Sequence, residues 1–330
     1  MELVSRWGGR IVGWGALAVV AVFVAAKIAD RDGSDLPLAL LTLWPWVGFG
    51  AAVAGALAAL LGARRLAAAL TVAALTCAAV LVPRAVGSTA PPQGDDRLVV
   101  MTLNMRFGKA DVAQVARLVE EHDVDVLVGQ EVTPGTLTNA EGTNLDQLLP
   151  HREGRVPTLE EHMTTGAYAA VVWSREPMTL AEPVEGMPRY SPRVIARTDL
   201  GPVVVADVHT TSPLGGREMQ WRADLDAVAR GCRWSDPRIE PGPTATVAAG
   251  DLNGSVDHPS LRAALTRCGL TDAADAVGHG LDATYAGSPA NPIAVARTSY
   301  VLTDLAVVDT RTARVGGTEH RAVIATLARR

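Results

Sequence analysis

The chain has 330 residues, of which 48% are hydrophobic, 20% are charged and only three are cysteines, and its formal net charge is -5. All the long apolar runs lie in residues 1–90, which contain seven basic and four acidic residues. Residues 91–330 therefore carry 23 basic and 31 acidic residues. This acidic balance disfavours non-specific nucleic-acid binding, which relies on basic patches, although it leaves room for a local basic groove.

Three apolar segments open the chain, at about residues 11–29, 36–61 and 66–82. Helices of roughly 17 to 25 apolar residues are long enough to cross a bilayer. A cleaved signal peptide is the alternative for the first segment, but a small-residue cleavage motif is absent and two more apolar segments follow. The sequence therefore predicts a membrane domain at residues 1–86 with three transmembrane helices.

The charges around these segments predict their orientation. Arg6 and Arg10 precede the first segment, and Arg64 and Arg65 lie in the turn between the second and third. Basic residues favour the cytoplasmic side, so the N-terminus and this turn are predicted to be cytoplasmic. Three crossings then place the rest of the chain outside a multi-pass protein of the cell membrane, after a polar linker at residues 87–96.

The cysteines leave two readings open. Cys77 falls in the third apolar segment, whereas Cys232 and Cys268 belong to the outer domain. An oxidising compartment would permit a disulfide between these two residues, but two free buried thiols fit the sequence equally well.

Residues 97–330 alternate between strand and helix patterns. "RLVVMTLNM" is typical of a buried strand, "ADVAQVARLVEEH" of an amphipathic helix and "VDVLVGQEV" of a second strand. Later strands follow one another as hairpin-like neighbours. This mixture predicts a layered α/β sandwich rather than a purely parallel sheet.

Polar residues fall where several predicted strands end or begin. They are Asn104, Glu131, His209, Asp251, Asn253, Glu319 and His320. Each one alone could be a turn residue, a helix cap or an edge residue. Together they supply only carboxylates, carboxamides and imidazoles, and loops at one edge of a sheet are where a rigid scaffold presents chemistry.

This set resembles the endonuclease/exonuclease/phosphatase superfamily, also called the DNase I-like fold. The stretches that carry the resemblance, in the family's order, are "MTLNMR" (101–106), "DVLVGQEV" (125–132), "VADVHTTSP" (205–213), "AAGDLNG" (248–254) and "TEHRAV" (318–323). The resemblance implies a four-layer α/β sandwich, here preceded by three transmembrane helices, and metal-dependent hydrolysis of a phosphoester. The architecture is also similar to membrane-anchored actinobacterial members linked to teicoplanin-type glycopeptide resistance.

Hard oxygen ligands favour Mg²⁺ or Mn²⁺ over zinc as the cofactor. Glu131, helped by Asn104, is the candidate metal ligand, and Glu319 is a further candidate. A metal held there would polarise a phosphoryl oxygen and neutralise charge as the transition state forms.

The remaining four residues are candidates for catalysis. Asp251 is expected to orient or deprotonate the attacking water, and Asn253 to donate an amide hydrogen to a phosphoryl oxygen. His209 is expected to hydrogen-bond the phosphate. His320 is the candidate general base or, alternatively, a cationic clamp on the phosphate.

Two positions depart from the family's pattern. Glu319 stands beside the final histidine where the family usually has aspartate. Ser299, in "TSYVL", stands where the family commonly has the aspartate that orients that histidine. A serine orients an imidazole only weakly, so we hypothesise that Glu319 partly replaces the missing carboxylate or that activity is low.

Three functions are compatible with these features. The first is an outward-facing phosphohydrolase at the bilayer surface that acts on a lipid-linked phosphate or pyrophosphate of the cell envelope, such as a polyprenyl pyrophosphate. The second is an extracytoplasmic nuclease or a phospholipid phosphodiesterase, for which the sequence shows no basic or apolar binding loop. The third is a weakly active domain that binds a phosphorylated ligand.

Overall fold

A computed structural model describes residues 14–15, 17–25, 27, 32–33, 35–165, 168–232 and 245–330 of the chain. Residues 14–15, 17–25 and 27 are helical. The helices that follow are α1 (Asp35–Thr42), α2 (Trp44–Leu60), α3 (Arg64–Val86), α4 (Val112–Glu121), α5 (Pro134–Glu141), α6 (Leu145–Leu148), α7 (Leu159–Thr165), α8 (Glu218–Gly231), α9 (Pro259–Cys268) and α10 (Ala273–Ala276). The strands are β1 (Gln93–Asn104), β2 (Val126–Val132), β3 (His151–Gly154), β4 (Ala169–Ser174), β5 (Met178–Ala181), β6 (Arg193–Thr198), β7 (Gly201–Asp207), β8 (Ala245–Asp251), β9 (Thr271–Asp272), β10 (Ser299–Thr303), β11 (Ala306–Arg314) and β12 (Arg321–Arg329).

The strands form two mixed sheets of six strands each. The first sheet has the order β11-β12-β1-β2-β4-β3, and the second has the order β5-β6-β7-β8-β10-β9. Only the β1–β2 and β7–β8 pairs are parallel, and the other strand pairs of the two sheets are antiparallel. The predicted α/β sandwich, with two central sheets between helices, is therefore confirmed.

Strand β1 shows how the layers are built. Leu98 and Val100 face the core between the two sheets, whereas Met101 and Leu103 face the helices that cover the first sheet. Successive side chains of a strand point to opposite faces, so a strand that is apolar on both faces must be covered on both sides. The outer helix α4 packs there after Asp111, whose side chain caps it by accepting from the backbone amide of Gln114 at 3.1 Å.

The predicted three transmembrane helices are not what the structure shows. Within the described residues, only α3 combines the length and the apolar composition needed to cross a membrane. The segment predicted as one helix at 36–61 is divided at Leu43, because Pro45 lacks an amide hydrogen and is accommodated only in the first turn of a new helix, α2. Part of the first predicted helix, 11–29, lies outside the described residues.

The predicted linker at 87–96 contains the start of β1, which begins at Gln93 and pairs with Arg329 of β12. The residues of that segment outside helix and strand are 87–92. Part of this segment contacts the outer domain, where the amide of Ser88 donates to the carbonyl of Ala276 at 2.8 Å. The connection between α3 and the domain is therefore short and hydrogen-bonded to the domain.

Charged side chains fasten the N-terminal helices to the sandwich. Asp257 accepts from Nζ of Lys27 at 2.7 Å and pairs with NH1 of Arg84 at 3.2 Å. Arg84, in the last turn of α3, also lies 3.4 Å from Asp275, which in turn pairs with Arg297 at 3.2 Å. Because Asp257 and Arg297 are buried, this network holds the domain in a defined position against the helices.

A disulfide joins Cys232, at the end of α8, to Cys268, the last residue of α9. Both cysteines are buried against the outer face of the second sheet. The structure therefore selects the disulfide over two free thiols. The crosslink encloses a sequence separation of 36 residues, and closing a loop of that size limits the freedom of the unfolded chain.

We expect replacement of both cysteines, Cys232→Ser with Cys268→Ser, to lower the free energy of unfolding by roughly 3–4 kcal/mol. Denaturant unfolding of the full chain with and without reductant measures this change. Reductant should destabilise the wild type and leave the double variant unaffected. Equal unfolding midpoints of the wild type in the two conditions would contradict the crosslink.

Candidate active site

All seven predicted site residues meet at one edge of the sandwich. They come from the end of β1, the end of β2, the loop after β7, the end of β8 and the turn before β12. A cleft of about 390 Å³ opens there, and Asn104, Glu131, Asn253, Glu319 and His320 line it. Asp251 and His209 are buried beside these residues. The tertiary structure thus brings together residues that are up to 216 positions apart in the sequence.

Asn104 connects the two sheets at the floor of the cleft. Its Nδ2 donates to Oε1 of Glu131 at 3.1 Å and to Oδ2 of Asp251 at 3.0 Å. Its Oδ1 accepts from the backbone amide of Arg106 at 2.9 Å, which defines the orientation of the carboxamide. One amide group therefore holds a carboxylate from each sheet.

Glu131 has an unusual backbone. Its φ is 55°, a conformation that is uncommon for a residue with a side chain, and the β2–β4 register shifts between Gly129 and Val132. The shift turns the carboxylate into the cleft, where Oε2 accepts from the amide of Phe107 at 3.0 Å. Burial raises the pKa of Glu131, and the nearby charge of Asp251 adds to this effect. Strain of this kind is common where a side chain is held for function.

The "GDLN" stretch forms a tight turn at the end of β8. The carboxylate of Asp251 accepts from the backbone amide of Asn253 at 3.0 Å, and Asn253 also has a positive φ of 50°. A Cβ on Gly250 would lie 2.3 Å from the carbonyl oxygen of Val208, so only glycine fits there. Nδ2 of Asn253 donates to the carbonyl of Thr210 at 2.9 Å, which leaves its second amide hydrogen for a ligand.

His320 faces Asp251 across the cleft. Its Nδ1 lies 3.6 Å from Oδ2 of Asp251, which is too far for a hydrogen bond, and it has no other hydrogen-bond partner in the described part of the chain. Thr318 positions the residue, because its hydroxyl accepts from the His320 amide at 3.1 Å and donates to the Asn104 carbonyl at 2.9 Å. The Tyr285 ring, 5.1 Å away between centroids, covers the imidazole.

Neither Ser299 nor Glu319 orients His320. Ser299 is paired with Asp251 across β10 and β8, but its hydroxyl has no hydrogen-bond partner among the described residues. Glu319 forms an ion pair with Arg106 instead, at 2.6 Å between Oε2 and Nε. The hypothesis that Glu319 replaces the missing aspartate is therefore not supported by its position, and Asp251 is the carboxylate that faces the imidazole.

His209 lies beside Glu131, with 3.8 Å between Nε2 and Oε1. Burial lowers the pKa of His209 to about 4, so its imidazole is neutral near pH 7. A neutral imidazole donates one hydrogen bond and accepts one, which agrees with the predicted contact to a phosphate but not with a cationic role.

The residues at this edge fit a hard divalent cation. No three His, Cys, Asp or Glu side chains of the described chain converge as a complete metal cage. Mg²⁺, however, is usually bound by one or two carboxylates and completed by water and substrate phosphate. Glu131 and Asp251 converge here, and no described lysine or arginine lines the cleft. A cation bound by Glu131 would polarise a phosphoryl oxygen and offset the carboxylate charge.

A second bridge between the sheets was not anticipated as part of the site. Nε2 of Gln130 donates to Oδ1 of Asp207 at 2.8 Å, and both residues are fully buried. Burial raises the pKa of Asp207 to about 7. Sequence position was the signal that could have found this pair, since Gln130 directly precedes Glu131 and Asp207 lies two residues before His209.

The fold is shared with solved structures of low sequence identity. A humanised D. rerio TDP2 carrying 14 mutations superposes with a TM-score of 0.51 at 12% identity, covering 71% of this chain and 99% of that one. A conserved protein of unknown function from Enterococcus faecalis V583 gives a TM-score of 0.50 at 13% identity, covering 71% and 100% of the two chains. A comparison with curated protein sequences found no match.

Two sheets that present carboxylates, carboxamides and imidazoles at one edge define a DNase I-like hydrolase. Residues 101–320 match the profile of the Endonuclease/Exonuclease/phosphatase family, and this chain belongs to that family. Its members are phosphoester hydrolases that typically use a divalent metal. The narrower resemblance to teicoplanin-resistance proteins receives no support from these comparisons.

We expect Asp207→Asn to remove a pH dependence of stability. The carboxyl has a raised pKa in the fold, so the folded state retains a proton that the unfolded state loses between about pH 4 and pH 7. The stabilisation that the protonated Asp207 gives to the fold is therefore lost as the pH rises through this window, and the free energy of unfolding falls by up to roughly 4 kcal/mol.

Denaturant unfolding at pH 5 and pH 8 measures this effect. The wild type should lose more stability between the two pH values than Asp207→Asn, whose amide oxygen still accepts from Gln130. Parallel losses in the two proteins would show that Asp207 does not titrate as stated.

We expect Ser299→Asp to raise phosphoester hydrolysis by roughly tenfold, because it supplies a carboxylate to an imidazole whose Nδ1 is unpartnered. The Ser299→Asn variant has the same size without the charge and serves as the control. The measurement is the pH profile of kcat, in which an oriented imidazole should also move its limb to higher pH. Unchanged activity in Ser299→Asp would overturn the argument from the missing carboxylate.

Proposed function

We propose that this chain is a divalent-cation-dependent phosphoester hydrolase, anchored in the cell membrane, that acts on a lipid-linked phosphate or pyrophosphate of the cell envelope. The observation that carries the proposal is the cleft itself. It joins Asn104, Glu131 and His320 to Leu38 and Leu43 of the N-terminal helices in one lining. A phosphate-directed site beside apolar helices suits an amphiphilic substrate.

The geometry supports a different role for each of the site residues. Glu131 would hold the cation, and the Asn104 carboxamide keeps its carboxylate in place. Asp251, which also accepts from Asn104, orients the attacking water or takes its proton. Asn253 donates to a phosphoryl oxygen through its free amide hydrogen, and neutral His209 donates a second hydrogen bond to the phosphate.

His320 retains two possible roles, general base or cationic clamp. Its imidazole lies near Asp251 but makes no hydrogen bond to it. Glu319, which the sequence suggested as a further metal ligand, lines the cleft with its charge offset by Arg106. We therefore propose Glu131, rather than Glu319, as the main ligand of the cation.

The anchor is helix α3. Arg64 begins it and Arg84 lies in its last turn, so that about 30 Å of helix separates the two, which is the thickness of a bilayer's hydrocarbon core. Arg84 contacts the catalytic domain, and Arg64 with Arg65 lies at the opposite, cytoplasmic end. Helix α2 packs along α3 and exposes Phe49, which agrees with contact to lipid.

The disulfide supports an extracytoplasmic catalytic domain. Structural disulfides persist in oxidising compartments and are rare in the reducing cytosol. The bond between Cys232 and Cys268 lies in the domain, on the side of the membrane to which the charge distribution assigns it. Two independent features thus favour the same orientation.

We expect the purified full chain in bilayer discs with Mg²⁺ to release phosphate from undecaprenyl pyrophosphate. This substrate is tested first because of the architectural resemblance noted in the sequence. Glu131→Gln and Asp251→Asn should each lower the rate by at least about a hundredfold, since each removes a charge from the site. Glu121→Gln, an exposed glutamate at the end of α4, is the matched control and should retain full activity.

A panel of substrates separates the alternatives. Polyprenyl monophosphate, a phospholipid diester and plasmid DNA are tested beside the pyrophosphate, with a chelator as the metal control. DNA cleavage without phosphate release would favour a nuclease, and diester cleavage alone would favour a phospholipid phosphodiesterase. Binding without turnover of any substrate would identify a phosphate-ligand binding domain.

A further inference from the structure

Helix α1 is part of the sandwich rather than part of the membrane layer. Its Leu38 is buried in the core behind the second sheet, beside Trp221 and Tyr300. The carbonyl of Leu38 accepts from Nε2 of His258 at 3.0 Å, and the amide of Ser255 donates to Nδ1 of the same imidazole at 3.0 Å. Burial lowers the pKa of His258, so that it remains a neutral connector.

The corner between α1 and α2 is fixed as well. The indole of Trp46, in the first turn of α2, donates to the carbonyl of Val295 at 2.8 Å. Val295 precedes Ala296, whose backbone is bridged to Tyr285 beside His320. The α1–α2 corner is therefore attached at one end to the domain core and at the other to the segment that covers His320.

This corner forms one wall of the catalytic cleft. Ala39, Thr42 and Leu43 line the cleft together with Glu131 and His320. Pro213, Leu214 and Ala296, which are all apolar, line the same cleft. The cleft thus has a polar floor, where the carboxylates converge, and an apolar rim on the side of the N-terminal helices.

The rim leads toward the membrane layer. Leu43 is 38% exposed and Leu214 is 48% exposed, although both are large apolar residues at a cleft mouth. Helix α2 starts at the next residue after Leu43 and exposes Trp46 and Phe49. Large apolar side chains are therefore exposed both in the lining of the cleft and on the helix that packs on α3.

We propose that this rim, defined by Ala39, Leu43, Pro213, Leu214 and Ala296, binds the hydrocarbon chain of the substrate next to its phosphate. The inference rests on the proposed function and adds the residues that determine specificity. The occupant is a linear hydrocarbon attached directly to a phosphoester, because the apolar residues and the phosphate-directed groups line the same cleft. Leu43 and Leu214 are the residues that select it, and the N-terminal segment thereby completes the active site.

The test compares alkyl phosphates that differ only in chain length. The full chain in bilayer discs is supplied with ethyl phosphate or decyl phosphate, and kcat/KM is measured for each. The wild type should prefer decyl phosphate by about tenfold or more, because the longer chain removes more apolar surface from water at the rim. Leu43→Ser and Leu214→Ser should each reduce that preference severalfold, because the loss of apolar surface falls mainly on decyl phosphate.

Two controls define the effect. Leu180→Ser changes a leucine of β5 that is 46% exposed and lies outside the cleft, and it should keep the wild-type preference. Leu43→Met keeps an apolar side chain of similar volume and should also retain it. Equal thermal unfolding of the four variants shows that the fold is intact.

The outcomes separate the inference from the proposed function. Two results would contradict the rim as a hydrocarbon site: equal kcat/KM for both esters, or an unchanged preference in both serine variants. In either case the proposed hydrolase activity would still be supported. If neither ester is hydrolysed, the proposed function fails for monoesters, and calorimetric binding of the two alkyl phosphates then decides the inference. Binding that does not depend on chain length, or on Leu43 and Leu214, overturns it in that case too.

Discussion

The carboxamide of Asn104 is the contact on which the site depends. It donates to Glu131 of one sheet and to Asp251 of the other, so the two sheets carry their carboxylates to the same point. A buried carboxylate and a partly buried one repel each other, and loss of hydration already raises the pKa of Glu131. The amide hydrogens reduce that cost, and a divalent cation would reduce it further. The same arrangement that makes this edge costly to fold makes it suitable for binding a metal and a phosphate.

The position of the site relative to the N-terminal helices follows from a second set of charges. Asp257 draws Lys27 and Arg84 to the domain, and Arg297 continues the network through Asp275. Charges that are buried need partners nearby, so the domain has little freedom to rotate away from its anchor. With α1 seated in the core through Leu38, the cleft opens where the helices meet the domain. The cleft and helix α3, the proposed anchor, are therefore held together by one network of contacts.

His320 is the least conventional part of the site. The sequence suggested this when it placed Ser299 where the family commonly has an aspartate, and the structure gives the consequence in atomic terms, since Nδ1 lacks a hydrogen bond. Glu319 does not compensate, because it is held by Arg106. Asp251 faces the imidazole, but it already accepts from Asn104 and Asn253. His320 therefore lacks a hydrogen-bonded carboxylate, and the one that faces it is the residue proposed to handle the attacking water.

The sequence by itself determined the layered α/β sandwich and the seven residues at the strand ends. The spacing of apolar residues along a strand and the polar residues at its ends are local properties of the sequence. It could not place Asp207 with Gln130 or pair Glu319 with Arg106, since these contacts join distant segments. It also favoured three membrane helices, because apolar composition alone does not show that Pro45 starts a new helix or that Leu38 belongs to the domain core. The sequence left the disulfide undecided, because only the fold brings Cys232 and Cys268 together. These features depend on contacts between segments that are distant in the sequence, and only the folded chain brings such segments together.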